Sequence, residues 1–133
     1  MSQTRPDIKA FLDKKNTIAV VGVSHDPAKY GHKVFFDLLR AGYRALAVHK
    51  DGGEIEGIPR YPDLASLPQK PDVVCVVVPP VATEQVARQC AALGIGKMWM
   101  QPGSESEAAV RFCQENGIAA LSGVCVMVER QRV

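Results

Sequence analysis

The chain has 133 residues, enough for one ordinary domain with a buried core and little more. Hydrophobic residues make up 47% and charged residues 23%, a globular balance that excludes a disordered, collagenous or coiled-coil chain. Sixteen Lys and Arg against fourteen Asp and Glu leave +2, too small an excess for a dedicated nucleic-acid binder.

The N-terminal MSQTRPDIKAFLDKK lacks the apolar run of a signal peptide, and no stretch approaches the ~20 apolar residues of a membrane span. A soluble, cytoplasmic protein without a membrane partner is expected. Pro6 at a first helical position predicts a short amphipathic helix with Ile8, Phe11 and Leu12 on one face. That helix, within residues 1–15, precedes a core of residues 16–129, and the whole of 1–133 reads as one domain.

Thr17 to Val23 is apolar on both faces and rich in β-branched residues, which predicts a central strand covered by helices on each side. Val34, Phe35, Leu38 and Leu39 recur at helical spacing from about His32 to Ala41, and Gly42 stops that helix. Arg44 to Val48 is the second strand. Gly52 to Pro62 holds so much Gly and Pro that it reads as a surface excursion. Asp72 to Val78 is the third strand, ended by Pro79-Pro80, and a helix from about Thr83 to Leu93 follows. Lys97 to Gln101 is the fourth strand. Ser104 and Glu107 have the spacing of a capping box at the next helix, which runs to Asn116-Gly117. Ile118 to Leu121 is the fifth strand.

Strands alternating with helices predict an α/β fold, a single doubly wound Rossmann-type domain. The expected sheet has five mainly parallel strands in the order 3-2-1-4-5. Such sheets bind ligands beyond the carboxyl ends of their strands, where the strand order reverses. The chemistry is therefore sought in residues 22–31, 48–51, 78–81, 101–104 and 122–126.

The first of these loops is GVSHDPAKYGHK. Gly22 allows a tight turn, Ser24 offers a hydroxyl and Gly31 opens the next helix, so that backbone N–H groups and the helix dipole would face an anion. Lys29, His32 and Lys33 add cationic or donor groups. Any strand-to-helix turn can use Gly and Ser for shape alone, but the flanking strand and helix favour a phosphate. The spacing is not the G-x-G-x-x-G of an NAD site. The second strand ends in Val48-His49-Lys50, and a lysine there suits a phosphorylated ribose better than the carboxylate that NAD requires. Asp51, one step later, keeps the NAD reading open. Val78, Pro79, Pro80 and Val81 offer a stiff apolar wall for an adenine ring, and Gln101 an amide at the rim of the site.

Catalytic and metal constellations are thin. Ser24, His25 and Asp26 are mere sequence neighbours, and the three histidines lack ligand spacing. Cys75, Cys90 and Cys113 read as small buried hydrophobes, without the CxxC spacing of a zinc site. Cys125 lies past Gly123, beyond the last strand, and no Lys, Arg or His adjoins it to lower its pKa. A packed, inert thiol is the expectation, with a thiol open to disulfide exchange as the alternative.

Five segments together carry a family resemblance: VVGVSHDPAKYGHKV, EIEGIPRYPDLASLP, PDVVCVVVPP, MWMQPG and the isolated Cys125. From Asn16 to Glu129 the chain resembles the small stand-alone coenzyme A-binding proteins, which are similar to the CoA-binding domain of succinyl-CoA synthetase α subunits and of acyl-CoA synthetases. The resemblance implies CoA or an acyl-CoA as ligand. It places Gly22, Val23, Ser24 and Lys29, Tyr30 and Gly31 at the CoA phosphates, beside His32. Val48, His49 and Lys50, with Val78, Pro79 and Pro80, would flank the adenosine. Gln101 and Gly103 would lie along the pantetheine, Cys125 near its thiol end, and Trp99 in the core. The ligase domains and phosphohistidine segment of the synthetases are absent from the sequence, so a non-catalytic or accessory CoA binder is expected. A small NAD(P)-dependent oxidoreductase and a ligand-free interaction subunit are the alternatives, and a protein partner or homo-oligomer stays open.

Overall fold

The computed structural model describes residues 7–133. Helix α1 (Ile8–Phe11) starts at Asp7, whose carboxylate accepts from the Lys9 N–H; Pro6 lies outside the described residues. Phe11 and Leu12 are buried, and Phe11 meets the Trp99 ring edge-on at 5.9 Å, an arrangement worth ~1 kcal/mol beyond the area it buries.

The five predicted strands form, the second with the expected bounds and the other four with trimmed ends. They are β1 (Thr17–Val21), β2 (Arg44–Val48), β5 (Val73–Val76), β6 (Lys97–Met100) and β7 (Ala119–Leu121). Two more, β3 (Glu54–Ile55) and β4 (Ile58–Tyr61), arise within the segment expected to be an irregular excursion. Glu56 (φ 49°) and Gly57 (φ 81°) join them, both left-handed, as a two-residue hairpin turn that follows strand twist demands. β3 and β4 pair antiparallel, and β4 pairs parallel with β2, Ala47 against Arg60 and Val48 against Tyr61.

That hairpin changes the topology. Among the described residues the sheet has seven strands in the order β3-β4-β2-β1-β5-β6-β7, so the five expected strands run 2-1-3-4-5 rather than 3-2-1-4-5. β4 occupies the flank of β2 where the third expected strand would have paired, and β5 crosses to the free flank of β1, Val20 beside Cys75. The strand order therefore reverses between β1 and β5.

Helices cover both faces, as apolar runs with no polar face require. On one face α1, α2 (Tyr30–Arg40) and α5 (Val126–Glu129) pack on Ile18, Val20, Ala47, Val73, Cys75, Trp99 and Leu121. On the other, α3 (Pro80–Leu93) and α4 (Glu107–Glu115) pack on Ala19, Val48, Val74, Val76, Met98 and Met100. Ser106, not Ser104, caps α4, accepting from the Ala109 N–H; the Ser104 hydroxyl instead accepts from the Val78 N–H across the sheet edge. Helix α5 is clamped to α2 by Arg130, whose Nε and Nη2 donate to the two Asp37 carboxylate oxygens at 2.9 and 2.8 Å. Among the described residues no helix is long and apolar enough to cross a membrane.

Candidate functional site

The carboxyl ends of β1, β2 and β5 open into a cavity of about 410 Å³ at the point where strand order reverses. Gly22, Val48, His49, Lys50, Val78 and Pro79 line it, joined by Pro62, Asp63, Leu64, Val86 and Gln89. The first six were singled out from the sequence. Of the last five, Pro62 ended the segment read as a surface excursion and Val86 lay on the helix face read as core, while Asp63, Leu64 and Gln89 were given no role. Lys50 is exposed, His49 half-buried and Val48 buried, giving an apolar slot with two basic groups at its rim.

Gly22 is fixed by its surroundings. Its φ is +105°, and a Cβ there would lie 2.2 Å from the Val77 carbonyl oxygen. The Gly22 and Val23 N–H groups both donate to the Val48 carbonyl, at 2.9 and 3.2 Å. They knit β1 to β2 and are spent, contrary to the expectation that they would face an anion. Val23 itself is fully buried in the core. The donors suited to an anion lie further along. The Ser24 hydroxyl accepts from the Asp26 N–H and keeps its own hydrogen to donate. Tyr30, Gly31 and His32 form the first turn of α2, where backbone N–H groups have no helical acceptor. Lys29 is the N-cap of α2, exposed and making no side-chain capping bond.

Gly31 and His32 serve the loop rather than facing out of it. A Cβ on Gly31 would lie 2.0 Å from the Gly22 carbonyl oxygen, so the helix rests directly on the turn. The His32 ring is buried, with Nδ1 2.9 Å from the Ser24 carbonyl oxygen and Nε2 3.5 Å from a Glu56 carboxylate oxygen.

A second opening is bounded by Tyr30, Val77, Val78, Pro79, Pro102, Gly103 and Ser104. The two openings share Val77, Val78 and Pro79, which form a ridge between them. Pro80 begins α3 beside the ridge, and Val81 is 71% exposed and lines neither opening.

Beyond the second opening, Tyr30 Oη lies 2.9 Å from Cys125 Sγ. Gln101, expected at the rim, is fully buried. Its Nε2 donates to Cys125 Sγ at 3.5 Å and its Oε1 accepts from the Val126 N–H at 2.7 Å. Trp99, in the core as expected, donates from Nε1 to the Val124 carbonyl and pins the same segment. Burial would raise the Cys125 pKa, but bonds from Tyr30, Gln101 and the Val128 and Met127 N–H groups outweigh it and lower the thiol below its ordinary value. Tyr30 moves oppositely, pushed up to about 12 by burial and by the neighbouring sulfur, so the phenol stays protonated. Four neutral donors thus do what the sequence offered no cation to do. Burial pushes Cys75, Cys90 and Cys113 upward.

Three likenesses bear on this geometry. A conserved hypothetical protein of Pyrococcus furiosus superposes with a TM-score of 0.82 at 43% identity, over 86% of this chain and 98% of that one. The uncharacterised protein YneT of Bacillus subtilis is 26% identical over 125 residues, 94% of this chain and 93% of its own. The α subunit of the ADP-forming acetate–CoA ligase II of Pyrococcus furiosus is 32% identical over 79 residues, 59% of this chain but only 17% of that subunit. The family model described as CoA binding domain matches residues 16–131, which contain β1 through α5 and every feature of the two openings. The chain belongs to the CoA-binding-domain family.

Proposed function

We propose that this protein binds coenzyme A, or an acyl-CoA, across the carboxyl edge of its sheet and acts as an accessory carrier or sensor without turnover of its own. The observation that carries this reading is the pair of openings sharing the ridge Val77–Pro79. CoA has a nucleotide at one end and a long thin arm ending in a thiol at the other. The slot at the carboxyl ends of β1, β2 and β5 suits the nucleotide in volume and apolar lining. The ridge leads to the second opening, and Tyr30 leads from there to Cys125. Ser24, Lys29 and the first turn of α2 would hold the pyrophosphate, Lys50 and His49 the phosphorylated ribose, and Gly103 the side of the arm.

An NAD site needs a carboxylate at the ribose, whereas NADP, like CoA, carries a ribose phosphate that a cation suits. Lys50 and His49 line the slot whereas Asp51 does not, which supports the phosphorylated ligand. The ligase subunits act, by name, on acetate and CoA; the proposal takes CoA binding alone from them. Thermal melts with CoA, NAD and NADP at matched concentrations test the reading. A ligand at 100 times its dissociation constant adds ~2.7 kcal/mol. CoA should give the largest rise in Tm, and a larger rise with NAD would reverse the assignment.

A further inference from the structure

Arg60 lies in β4 with 5% of its surface exposed. A guanidinium stays charged, and burying it is costly unless a carboxylate or several hydrogen bonds compensate. Its Nε donates to the Gly52 carbonyl at 2.7 Å and its Nη1 to the Val23 carbonyl at 2.8 Å, both uncharged acceptors. Among the described residues Arg130 pairs with Asp37 and Arg132 with Glu129, while the His32 and His49 rings lie 3.5 Å from the Glu56 and Asp51 carboxylates; none of these contacts includes Arg60. Among the described residues this buried positive charge therefore has no carboxylate at ion-pair distance.

Its position gives that charge a use. Val23 sits between Gly22, which lines the nucleotide slot, and Ser24, so Arg60 grips the loop from its core side. The same hairpin touches the loop twice more, through His25 Nε2 at the Glu54 carbonyl and His32 at the Glu56 carboxylate. The field reaches the slot, since the Arg60 charge adds to burial in lowering the pKa of His49 on its wall.

We propose that Arg60 is a positioning residue for an anionic ligand, fixing the Gly22–Ser24 loop through the Val23 carbonyl and supplying from beneath it the positive charge that makes affinity rise with the phosphates the ligand carries. This rests on the CoA-binding reading and extends it to a residue that never touches the ligand. The unpaired charge raises the free energy of the empty protein, and a bound phosphate relieves it.

Isothermal titration of wild type, Arg60→Met and Arg60→Lys with CoA, ADP and adenosine tests the proposal. In Arg60→Met the dissociation constants for CoA and ADP should rise about tenfold or more, and that for adenosine less than about twofold. Arg60→Lys, which keeps the charge, should stay within about threefold of wild type for CoA. Equal weakening for all three ligands, or none for CoA and ADP, overturns the proposal. Should Arg60→Met not fold, Arg60→Lys decides: a tenfold loss of CoA affinity would assign the arginine to shape alone. Wild type binding ADP but not CoA refutes the CoA reading and leaves the ADP arm to judge Arg60, whereas wild type binding none of the three refutes both.

Discussion

Replacing Gly31 by alanine adds one methyl group and no unfavourable backbone geometry, since the residue lies in the first turn of α2 with no left-handed φ. The methyl would sit 2.0 Å from the Gly22 carbonyl oxygen, whereas ordinary contacts begin at 3.4 Å. The helix cannot back away cheaply, because Val34, Phe35 and Leu38 are wholly buried on the sheet behind it. Nor can the turn, whose Gly22 N–H is bonded to Val48 and whose Cα faces the Val77 carbonyl. Overpacking of this kind costs ~3 kcal/mol at its upper range, and alanine's better helix propensity returns up to ~1 kcal/mol. The net loss is about 2 kcal/mol, a fall in Tm of roughly 6–10 °C for a domain of this size. Urea and thermal unfolding of Gly31→Ala measure it, with Gly96→Ala as the control, since a Cβ there meets nothing within 4 Å. CoA binding should weaken as well, because the displaced turn is the wall of the slot. A Gly31→Ala protein as stable as wild type would refute the claim that helix and turn are in hard contact.

Two further outcomes follow from the titrating groups. Cys125 should react first with iodoacetamide or CoA disulfide, well ahead of Cys90 and Cys113, whose pKa values burial pushes up to about 12 and about 11, and of Cys75, higher still. Peptide mapping after a short exposure at neutral pH reads the order, and Tyr30→Phe should slow Cys125 by removing a thiolate-stabilising bond. His49 has its pKa lowered, first by burial and then by Arg60, and its Nδ1 accepts from the Asp51 N–H, which suits the neutral ring. The folded state thus resists protonating it. That contributes no loss of stability above the unfolded value of ~6.5, and a loss that grows as pH falls from there through the lowered folded pKa. Urea midpoints at pH 7.5 and 5.5 should therefore fall less in His49→Asn than in wild type; an equal fall would refute the assignment.

The sequence made legible whatever is encoded locally. Apolar runs marked five of the strands, Gly42 and Gly94 marked helix ends, and three cysteines were recognisable as core. Strand order was not, because it depends on which flank of β2 is free. The hairpin that fills that flank turns on Glu56-Gly57, where an Asn or Asp in place of Glu56 would have announced it. Ser104 and Ser106 are chemically alike, and only the fold shows which N–H each one meets. At the site, periodicity found the wall residues but not the partners that occupy them. Nothing local reveals that Val48 consumes the Gly22 and Val23 N–H groups, or that Gln101 turns inward to hold Cys125. Arg60 hid in IPRYP for the same reason, since its acceptors lie 8 and 37 residues away.

The two outermost strands have a bearing on how the protein behaves when concentrated. β3 has two residues and β7 three, and Pro59, which has no N–H, stands opposite Glu54 in the hairpin. A sheet margin that short offers an incoming chain at most a bond or two of ladder, too little to repay the ordering of an extended segment. The β-branched strands, which would be dangerous templates in isolation, are all interior, so the sequence can carry DVVCVVV in its centre without inviting edge-to-edge growth. The small hairpin that redirects the topology thereby also closes the sheet to its own kind.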